Sequence, residues 1–266
     1  MSELEWYYPK SSDEAANLVA KDGFVAHGGR TSLLRSPQSR TKALIDLSGT
    51  QLDYCTIEGG WIEIGAVHTY ASAAKVMRQQ NTNHILAKSL SAAASTPLRN
   101  RITIGGSVAL APVWSDLVGP LAALESKVVL RGSNIGTFAL HDYLKNRDLR
   151  RNSLVAAVRF KQLDIAAFYH RATRTRCDYP AFSVTILAGN SQTYRIVIAG
   201  CTERYKRLFS LEEAVKENPA PGSLEKIIAT HVQVSFAGKK LGSPEYVRHL
   251  AMVSLQRGLS ELGYKG

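Results

Sequence analysis

Residues 99–109 read RNRITIGGSVA, and this stretch decides the fold of the 266-residue chain. It joins a polar turn, an apolar residue and the glycine pair Gly105 and Gly106, which predicts a strand that meets a loop. The same pattern occurs earlier, where the apolar run at residues 24–26 leads into Gly28 and Gly29. Because strands alternate with helix-like segments around both pairs, the sequence predicts an α/β protein.

Hydrophobic periodicity places the other elements around these glycines. We expect strands at residues 4–8, 43–47, 61–66, 127–131, 154–160, 181–187 and 194–199. We expect helices at residues 11–20, 69–80, 85–94, 116–124, 210–217, 223–231 and 243–262. Ser210 with Glu213 has the spacing of a capping box, and Ser243 stands before a first-turn proline. Residues 161–165 are the predicted boundary between a first unit and a C-terminal part with antiparallel strands and helices.

The glycine pairs have two possible roles. A diphosphate cofactor needs several N–H donors within about 3 Å of its oxygens, and glycine lets the backbone approach closely and adopt positive φ. Hydroxyl groups follow each pair, from Thr31 and Ser32 in the first case and from Ser107 in the second. A tight turn without a ligand is the alternative. Asp116 could likewise bind a ribose hydroxyl or be an ordinary aspartate near a helix start.

The formal net charge of +11 does not by itself indicate nucleic-acid binding. The Lys and Arg residues are scattered, with the densest groups at residues 147–151 and 171–176, and no RRM, KH, zinc-finger or helix-turn-helix signature surrounds them. A solvated basic face, or a face that docks an acidic partner subunit, explains the charge equally well.

Missing motifs exclude several classes of protein. No G-x-G-x-x-G, P-loop or G-x-S-x-G motif occurs, which argues against a Rossmann domain, a P-loop NTPase and a serine hydrolase. The seven histidines lack metal-ligand spacing, so no metal site is expected. Cys55, Cys177 and Cys201 are too few and too scattered for a disulfide framework or an iron–sulfur cluster. With neither a long apolar run nor a secretory signal, we expect a cytoplasmic protein.

Residues 99–109 resemble the R-N-x-x-T-I-G-G-N-[IL]-A segment of FAD-binding subunits of the xanthine dehydrogenase and carbon monoxide dehydrogenase type, and residues 115–117 read SDL at the expected interval. Residues 26–34 are similar to that family's A-G-G-x-[ST/D]-L-L loop, with His27 or Arg30 as one extra residue. Residues 168–174 with Asp178 resemble the opening of its C-terminal domain, and residues 243–248 resemble the start of its last helix. The chain is identified as the FAD-binding (medium) subunit of a molybdenum hydroxylase.

The resemblance implies an α/β (α+β) fold. A two-subdomain FAD-binding domain of the PCMH/vanillyl-alcohol-oxidase type, at residues 1–55 and 56–162, would precede a C-terminal domain at residues 163–266 with a three-stranded antiparallel sheet and helices. The implied FAD-binding residues are Ala26, His27, Gly28, Gly29, Arg30, Thr31, Ser32, Leu33, Thr103, Ile104, Gly105, Gly106, Ser107, Asp116 and His170. Leu110 and residues 112–114 depart from the family pattern near Asp116. His170 replaces a common lysine, so it either approaches the flavin or is a plain strand residue.

The resemblance also implies the function of a flavoprotein oxidoreductase subunit. The FAD would pass electrons from [2Fe-2S] clusters on a small partner subunit to NAD, oxygen or another acceptor, while a large partner subunit carries molybdopterin and the substrate pocket. We expect a heterotrimer or its dimer, with no catalytic side chain, bound metal, nucleic acid or membrane span in this chain. Purines, aldehydes, aromatic heterocycles and carbon monoxide all remain open as substrates. The alternatives are a flavin-binding structural subunit without a redox role and a basic nucleic-acid-binding protein.

Overall fold

The computed structural model describes residues 4–32, 41–190, 193–217, 223–237 and 241–264. The chain divides into two compact units. The first comprises residues 1–73, 95–111 and 125–162, and the second comprises residues 74–94, 112–124 and 163–266. The predicted division at residues 1–55, 56–162 and 163–266 stays a prediction.

Twelve strands and eleven α-helices form in the described residues. The strands are β1 (Glu5–Tyr7), β2 (Phe24–His27), β3 (Ala43–Asp46), β4 (Cys55–Glu58), β5 (Trp61–Gly65), β6 (Lys127–Gly132), β7 (Gly136–Ala139), β8 (Ser153–Lys161), β9 (Ala166–Ala172), β10 (Phe182–Ala188), β11 (Tyr194–Ala199) and β12 (Tyr205–Arg207). The helices are α1 (Ser12–Val19), α2 (Tyr70–Gln80), α3 (Ile85–Ala92), α4 (Thr96–Arg99), α5 (Ile104–Leu110), α6 (Val118–Ala123), α7 (Leu140–Lys145), α8 (Arg147–Arg150), α9 (Phe209–Glu217), α10 (Leu224–His231) and α11 (Pro244–Glu261). None of these described helices is long and apolar enough to span a bilayer.

A three-stranded parallel sheet opens the first unit, in the order β1-β3-β2. Helix α1 buries Ala15 and Ala16 in the same core cluster as Ile45 of β3. Ser11 caps α1, because its Oγ accepts a hydrogen bond from the N–H of Glu14 at 3.1 Å. The start of this helix is therefore specified locally, as predicted.

The larger sheet of the first unit has five strands in the order β4-β5-β8-β6-β7, and every neighbouring pair is antiparallel. The central strand β8 is buried almost throughout. A strand buried on both faces has a nearly continuous apolar sequence, which is why this strand was predicted. The edge strands β4 and β7 were not predicted. Each has only four residues, and each pairs with the strand next to it in the chain, β4 with β5 and β7 with β6. The Gly59–Gly60 turn between β4 and β5 is a hairpin signal that could have revealed β4.

The second glycine pair lies in the first turn of helix α5, so the predicted strand and loop at residues 102–107 are wrong. Thr103 is the N-cap, and its Oγ1 accepts from the N–H of Gly106 at 3.2 Å. Glycine disfavours a helix by about 1 kcal/mol per residue, which is why the sequence indicated a loop. Contacts with distant residues outweigh this preference, since the N–H groups of Ile104 and Gly105 donate to carbonyls at residues 68 and 66.

The second unit contains an antiparallel sheet in the order β12-β11-β10-β9. The predicted three-stranded sheet is present, and the three-residue strand β12 adds a fourth strand at its edge. Helices α9 and α11 pack on this sheet, with Val184, Leu211 and Leu255 fully buried in the shared core. Buried apolar contact of this kind, rather than helix propensity, supplies most of the stability of such helices.

Two predicted helix caps have different outcomes. Ser243 caps α11, because its Oγ accepts from the N–H of Tyr246 at 3.3 Å and Pro244 follows at the first helical position. The capping box at Ser210 is wrong. Helix α9 already begins at Phe209, and the carbonyl of the preceding Leu208 accepts from the N–H of Glu212. The Ser210 hydroxyl instead contacts Nδ1 of His231 at 2.7 Å.

His84 is a buried, titratable cap residue in the second unit. It is the N-cap of α3, it is 7% exposed, and its Nδ1 accepts from the N–H of Leu86 at 3.2 Å. Burial lowers the pKa of His84 from 6.5 to about 4. Between these pH values the unfolded chain binds a proton that the folded chain does not.

The free energy of unfolding should therefore fall by about 3 kcal/mol as the pH decreases from 6.5 to 4, because one pKa unit corresponds to about 1.4 kcal/mol. His84→Asn keeps an acceptor at the cap but does not titrate, so it should reduce this loss. Urea unfolding at several pH values measures the effect. The same change at exposed His249 is the control, and an equal response in both variants would contradict the assignment.

Candidate functional site

The first glycine loop, residues 28–32, follows β2 at the carboxyl end of the parallel sheet, where ligands commonly bind in α/β proteins. His27 precedes the loop and is 4% exposed. Its Nδ1 lies 3.7 Å from Oδ2 of Asp46, which is too long for a hydrogen bond. Burial and then the charge of Arg30 lower the pKa of His27, so the imidazole is neutral at pH 7.

Arg30 holds a positive charge at this loop in a constrained conformation. Its φ is +66°, in the left-handed region that non-glycine residues seldom adopt. Its guanidinium carbon lies 5.3 Å from the centre of the Trp6 ring, within cation–π range, and Trp6 also makes an edge contact with His27 at 4.9 Å. Sequence reasoning did not assign a role to Trp6, because its only signal was an aromatic residue in a short strand.

The four motif glycines permit close packing rather than unusual backbone angles. A Cβ on Gly29 would lie 1.6 Å from the carbonyl oxygen of Arg101, and one on Gly105 would lie 2.4 Å from Cβ of Ala66. A Cβ on Gly28 would lie 3.2 Å from Oγ1 of Thr103, which a small shift can relieve. All four glycines lie in the described residues and none has a positive φ, so the expected left-handed geometry is wrong for them.

The two glycine pairs differ in how their N–H groups are used. At the start of α5, the N–H groups of Ile104, Gly105, Gly106 and Ser107 donate to His68 O, Ala66 O, Thr103 Oγ1 and Thr103 O at 2.9–3.2 Å. Across the described part of the chain, the N–H groups of residues 28–32 donate to no backbone acceptor. Packing and helix formation thus account for the second pair, whereas the first loop offers donors to a ligand. A cofactor contact by residues 103–107 stays a prediction.

Asp116 lies at the centre of a buried network in the second unit. Its carboxylate accepts from the hydroxyl of Tyr169 at 2.7 Å and from Nε and Nη2 of Arg171 at 2.9 and 3.2 Å. Burial raises the pKa of Asp116, although the charge of Arg171 and the Tyr169 hydrogen bond oppose the shift. Arg171 also donates to the carbonyls of Ala92, Arg176 and Asp178, and so ties α3 to the loop after β9. Contact between Asp116 and a cofactor stays a prediction.

The remaining predicted site residues are partly described. His170 lies on β9 opposite Val184, half-buried, with its ring 6.3 Å from the ring of Phe182. Burial and then the charge of Arg257 lower the pKa of His170, and its approach to the flavin stays a prediction. Ala26, Thr31 and Ser32 are half-buried, and Leu33 lies outside the described residues.

Metal ligation finds no support in the part of the chain that the structure describes. No group of three or more His, Cys, Asp or Glu side chains there could hold a metal ion. Cys55, Cys177 and Cys201 are all free thiols. The described side chains therefore provide no site for an iron–sulfur cluster, which requires four ligands.

Comparison with known proteins identifies the family. Residues 2–160 match the family model described as the FAD-binding domain in molybdopterin dehydrogenase. The chain belongs to this family. The resemblance noted in the sequence, the FAD cofactor and the assignment to an oxidoreductase component are thereby confirmed.

Similar proteins match this FAD-binding protein over nearly its full length. The uncharacterized protein YgfM of Escherichia coli strain K12 is 24% identical over 256 residues, which are 94% of this chain and 92% of YgfM. A chain of quinoline 2-oxidoreductase from Pseudomonas putida 86 is 19% identical, with a TM-score of 0.88 and 99% coverage of both chains. A chain of carbon monoxide dehydrogenase from Hydrogenophaga pseudoflava is 20% identical, with a TM-score of 0.88 and coverage of 99% of this chain and 98% of that one. These structures confirm the predicted fold class.

Substitution of the glycines should separate packing from ligand binding. Gly105→Ala should lower the free energy of unfolding by about 2–3 kcal/mol, because its Cβ meets Ala66 including backbone atoms. Gly28→Ala should cost less than about 1 kcal/mol, because only the Thr103 side chain must move. Urea unfolding without FAD measures both. Equal losses in the two variants would contradict the steric explanation.

Proposed function

We propose that the FAD diphosphate binds at the first glycine loop, residues 28–32, and that the protein is the electron-transfer subunit of a molybdenum-dependent hydroxylase or dehydrogenase. The observation that carries the site assignment is the combination, in one loop, of the positive charge of Arg30 and N–H groups that have no backbone acceptor among the described residues. A diphosphate requires both features, because its oxygens carry charge and accept several hydrogen bonds.

The residues around the loop have distinct roles in this proposal. The N–H groups of residues 28–32 donate to phosphate oxygens, and Gly28 and Gly29 keep that approach free of side chains. Trp6 holds the Arg30 guanidinium beside the loop. Arg101 adds a second positive charge, since Arg30 and Arg101 both act to lower the pKa of His27. Neutral His27 adds no charge but packs beneath the loop, and Thr31 and Ser32 contribute hydroxyl groups.

When bound, FAD supplies the redox chemistry that connects [2Fe-2S] clusters on a partner subunit with NAD, oxygen or another external acceptor. No side chain of this chain is assigned a catalytic role. The three free thiols support the location of the clusters on a partner. Molybdenum enzymes among the similar structures, including one described as lacking the Mo-pyranopterin moiety of its molybdenum cofactor, support a large partner subunit that carries such a cofactor.

We place the proposed assembly, a heterotrimer or its dimer, in the cytoplasm, where thiols such as these remain reduced. Within this proposal Asp116 and His170 remain candidate flavin contacts, together with Thr103, Gly106 and Ser107. A structural subunit that binds flavin without a redox role is the second candidate.

Arg30 variants test the phosphate site. Arg30→Gly removes the charge but suits the left-handed backbone, so it should fold normally and weaken FAD binding about ten- to a hundredfold. Arg30→Lys keeps the charge and should lose less affinity. Titration of FAD fluorescence measures both, with Arg147→Ala as an exposed arginine control in the same unit. Unchanged affinity in Arg30→Gly would overturn this placement of the diphosphate.

Flavin reduction in the complete assembly tests the electron-transfer role. In the complex isolated with its native partners, a substrate drawn from purines, aldehydes, aromatic heterocycles and carbon monoxide should bleach the flavin absorption bands after the clusters are reduced. Stopped-flow spectroscopy follows both signals. Reduced clusters beside a flavin that stays oxidised would support the structural subunit and contradict the redox role.

A further inference from the structure

A concave surface of the first unit lies at the C-terminal end of α5. An open cavity of about 500 Å³ lies between the end of α5 and the segment that contains α7 and α8. We call this cavity the basic cleft. Ala109, in the last turn of α5, forms one side. Gly28 and Gly29 of the proposed diphosphate site lie against Thr103 and Arg101, at the opposite end of this seven-residue helix, so the cleft is separate from that site.

Positive charge dominates the basic cleft. Lys145, Arg147, Arg150 and Arg151 line it, and within the described residues no carboxylate belongs to the lining. The segment from residue 145 to residue 151 contains these four cations and one acidic residue, Asp148. Positive charges clustered in a concave surface create a positive electrostatic potential, which favours an anionic occupant.

Arg150 is held in the cleft by a hydrogen bond, while the neighbouring Arg147 and Arg151 are exposed to solvent. Its Nη2 donates to the carbonyl oxygen of Ala109 at 2.9 Å, and its Nε is buried without a hydrogen-bond partner in the described structure. Arg147 and Arg151 are exposed and four residues apart, a spacing that brings side chains to the same side of a helical turn. The cleft therefore combines one hydrogen-bonded guanidinium with exposed positive charges.

The surroundings favour an acidic peptide over a nucleotide or a single phosphate. The aromatic residue of the lining, Tyr143, is 2% exposed, so its ring offers no platform for a base. Ala109 is exposed in the cleft, and the adjacent Leu110 is 50% exposed, which adds an apolar edge. A volume of about 500 Å³ also far exceeds the space that one phosphate occupies.

We propose that the basic cleft docks an acidic segment of a partner subunit, with carboxylates on the arginines and apolar side chains against Ala109 and Leu110. The identity of the partner as a subunit of the same enzyme rests on the proposed function, whereas the chemistry of the cleft does not. Arginine is enriched in protein interfaces because it makes planar paired hydrogen bonds with carboxylates.

A charge-reversal experiment tests the docking. The probe is a fluorescein-labelled peptide of sequence EELEELEELEEL, added at low ionic strength to the full chain loaded with FAD, with fluorescence anisotropy as the signal. Arg147→Glu with Arg151→Glu should weaken binding at least tenfold. Lys75→Glu with Lys226→Glu changes the net charge equally at exposed positions in the second unit, and it should change binding less than threefold. Both variants should keep the flavin spectrum and the melting temperature.

Other outcomes would overturn the proposal in recognisable ways. Equal weakening in both variants would mean that net charge alone attracts the peptide. Cleft-dependent binding of inorganic triphosphate or an oligodeoxythymidine, without binding of the peptide, would assign the cleft to a different ligand class. A chain that binds the peptide at the cleft but no FAD would contradict the proposed function and leave the docking intact. A chain that binds FAD but not the peptide would contradict only the docking.

Discussion

The close contact between Gly29 and the carbonyl of Arg101 is the constraint on which the candidate site depends. A methyl group at this position would overlap the carbonyl oxygen, so the loop after β2 reaches the residues before α5 only because glycine stands there. Two further glycine contacts continue the same arrangement through the first unit, Gly105 against Ala66 and Gly65 against the carbonyl of Leu52. Together they connect the small parallel sheet, helix α5 and the end of β5.

This arrangement changes how the glycine motif is interpreted. A glycine in a phosphate loop is usually assigned to ligand contact, yet Gly29 and Gly105 are already required by the protein itself. If a bulky substitution at either position abolished FAD binding, the cause could therefore be disturbed packing as well as a lost contact with the cofactor. Substitution of Arg30 is a more specific test of diphosphate binding, because Arg30→Gly removes the charge and glycine readily adopts the left-handed backbone conformation of this residue.

In the second unit, Arg171 has a comparable organising role through charge rather than through close packing. One guanidinium binds the Asp116 carboxylate and three carbonyls, at residues 92, 176 and 178. A buried carboxylate needs such compensation, since an isolated charge in the interior is strongly unfavourable. The sequence showed Asp116 and Arg171 only as members of two separate motifs. Their pairing required the antiparallel sheet to bring β9 to the segment before α6.

The sequence by itself determined the fold class, the family, the FAD cofactor and most long elements. Helices such as α1 and α11 were predicted because their caps, Ser11 and Ser243, act on N–H groups three residues away. Only the tertiary structure decided that residues 104–110 form a helix and that Ser210 contacts His231 rather than capping α9. It also decided that Trp6 holds Arg30 and that four basic residues line one cleft. The physical reason is the distance along the chain over which each interaction acts: caps connect residues within one helical turn, whereas buried ion pairs and glycine contacts depend on residues that only folding brings together.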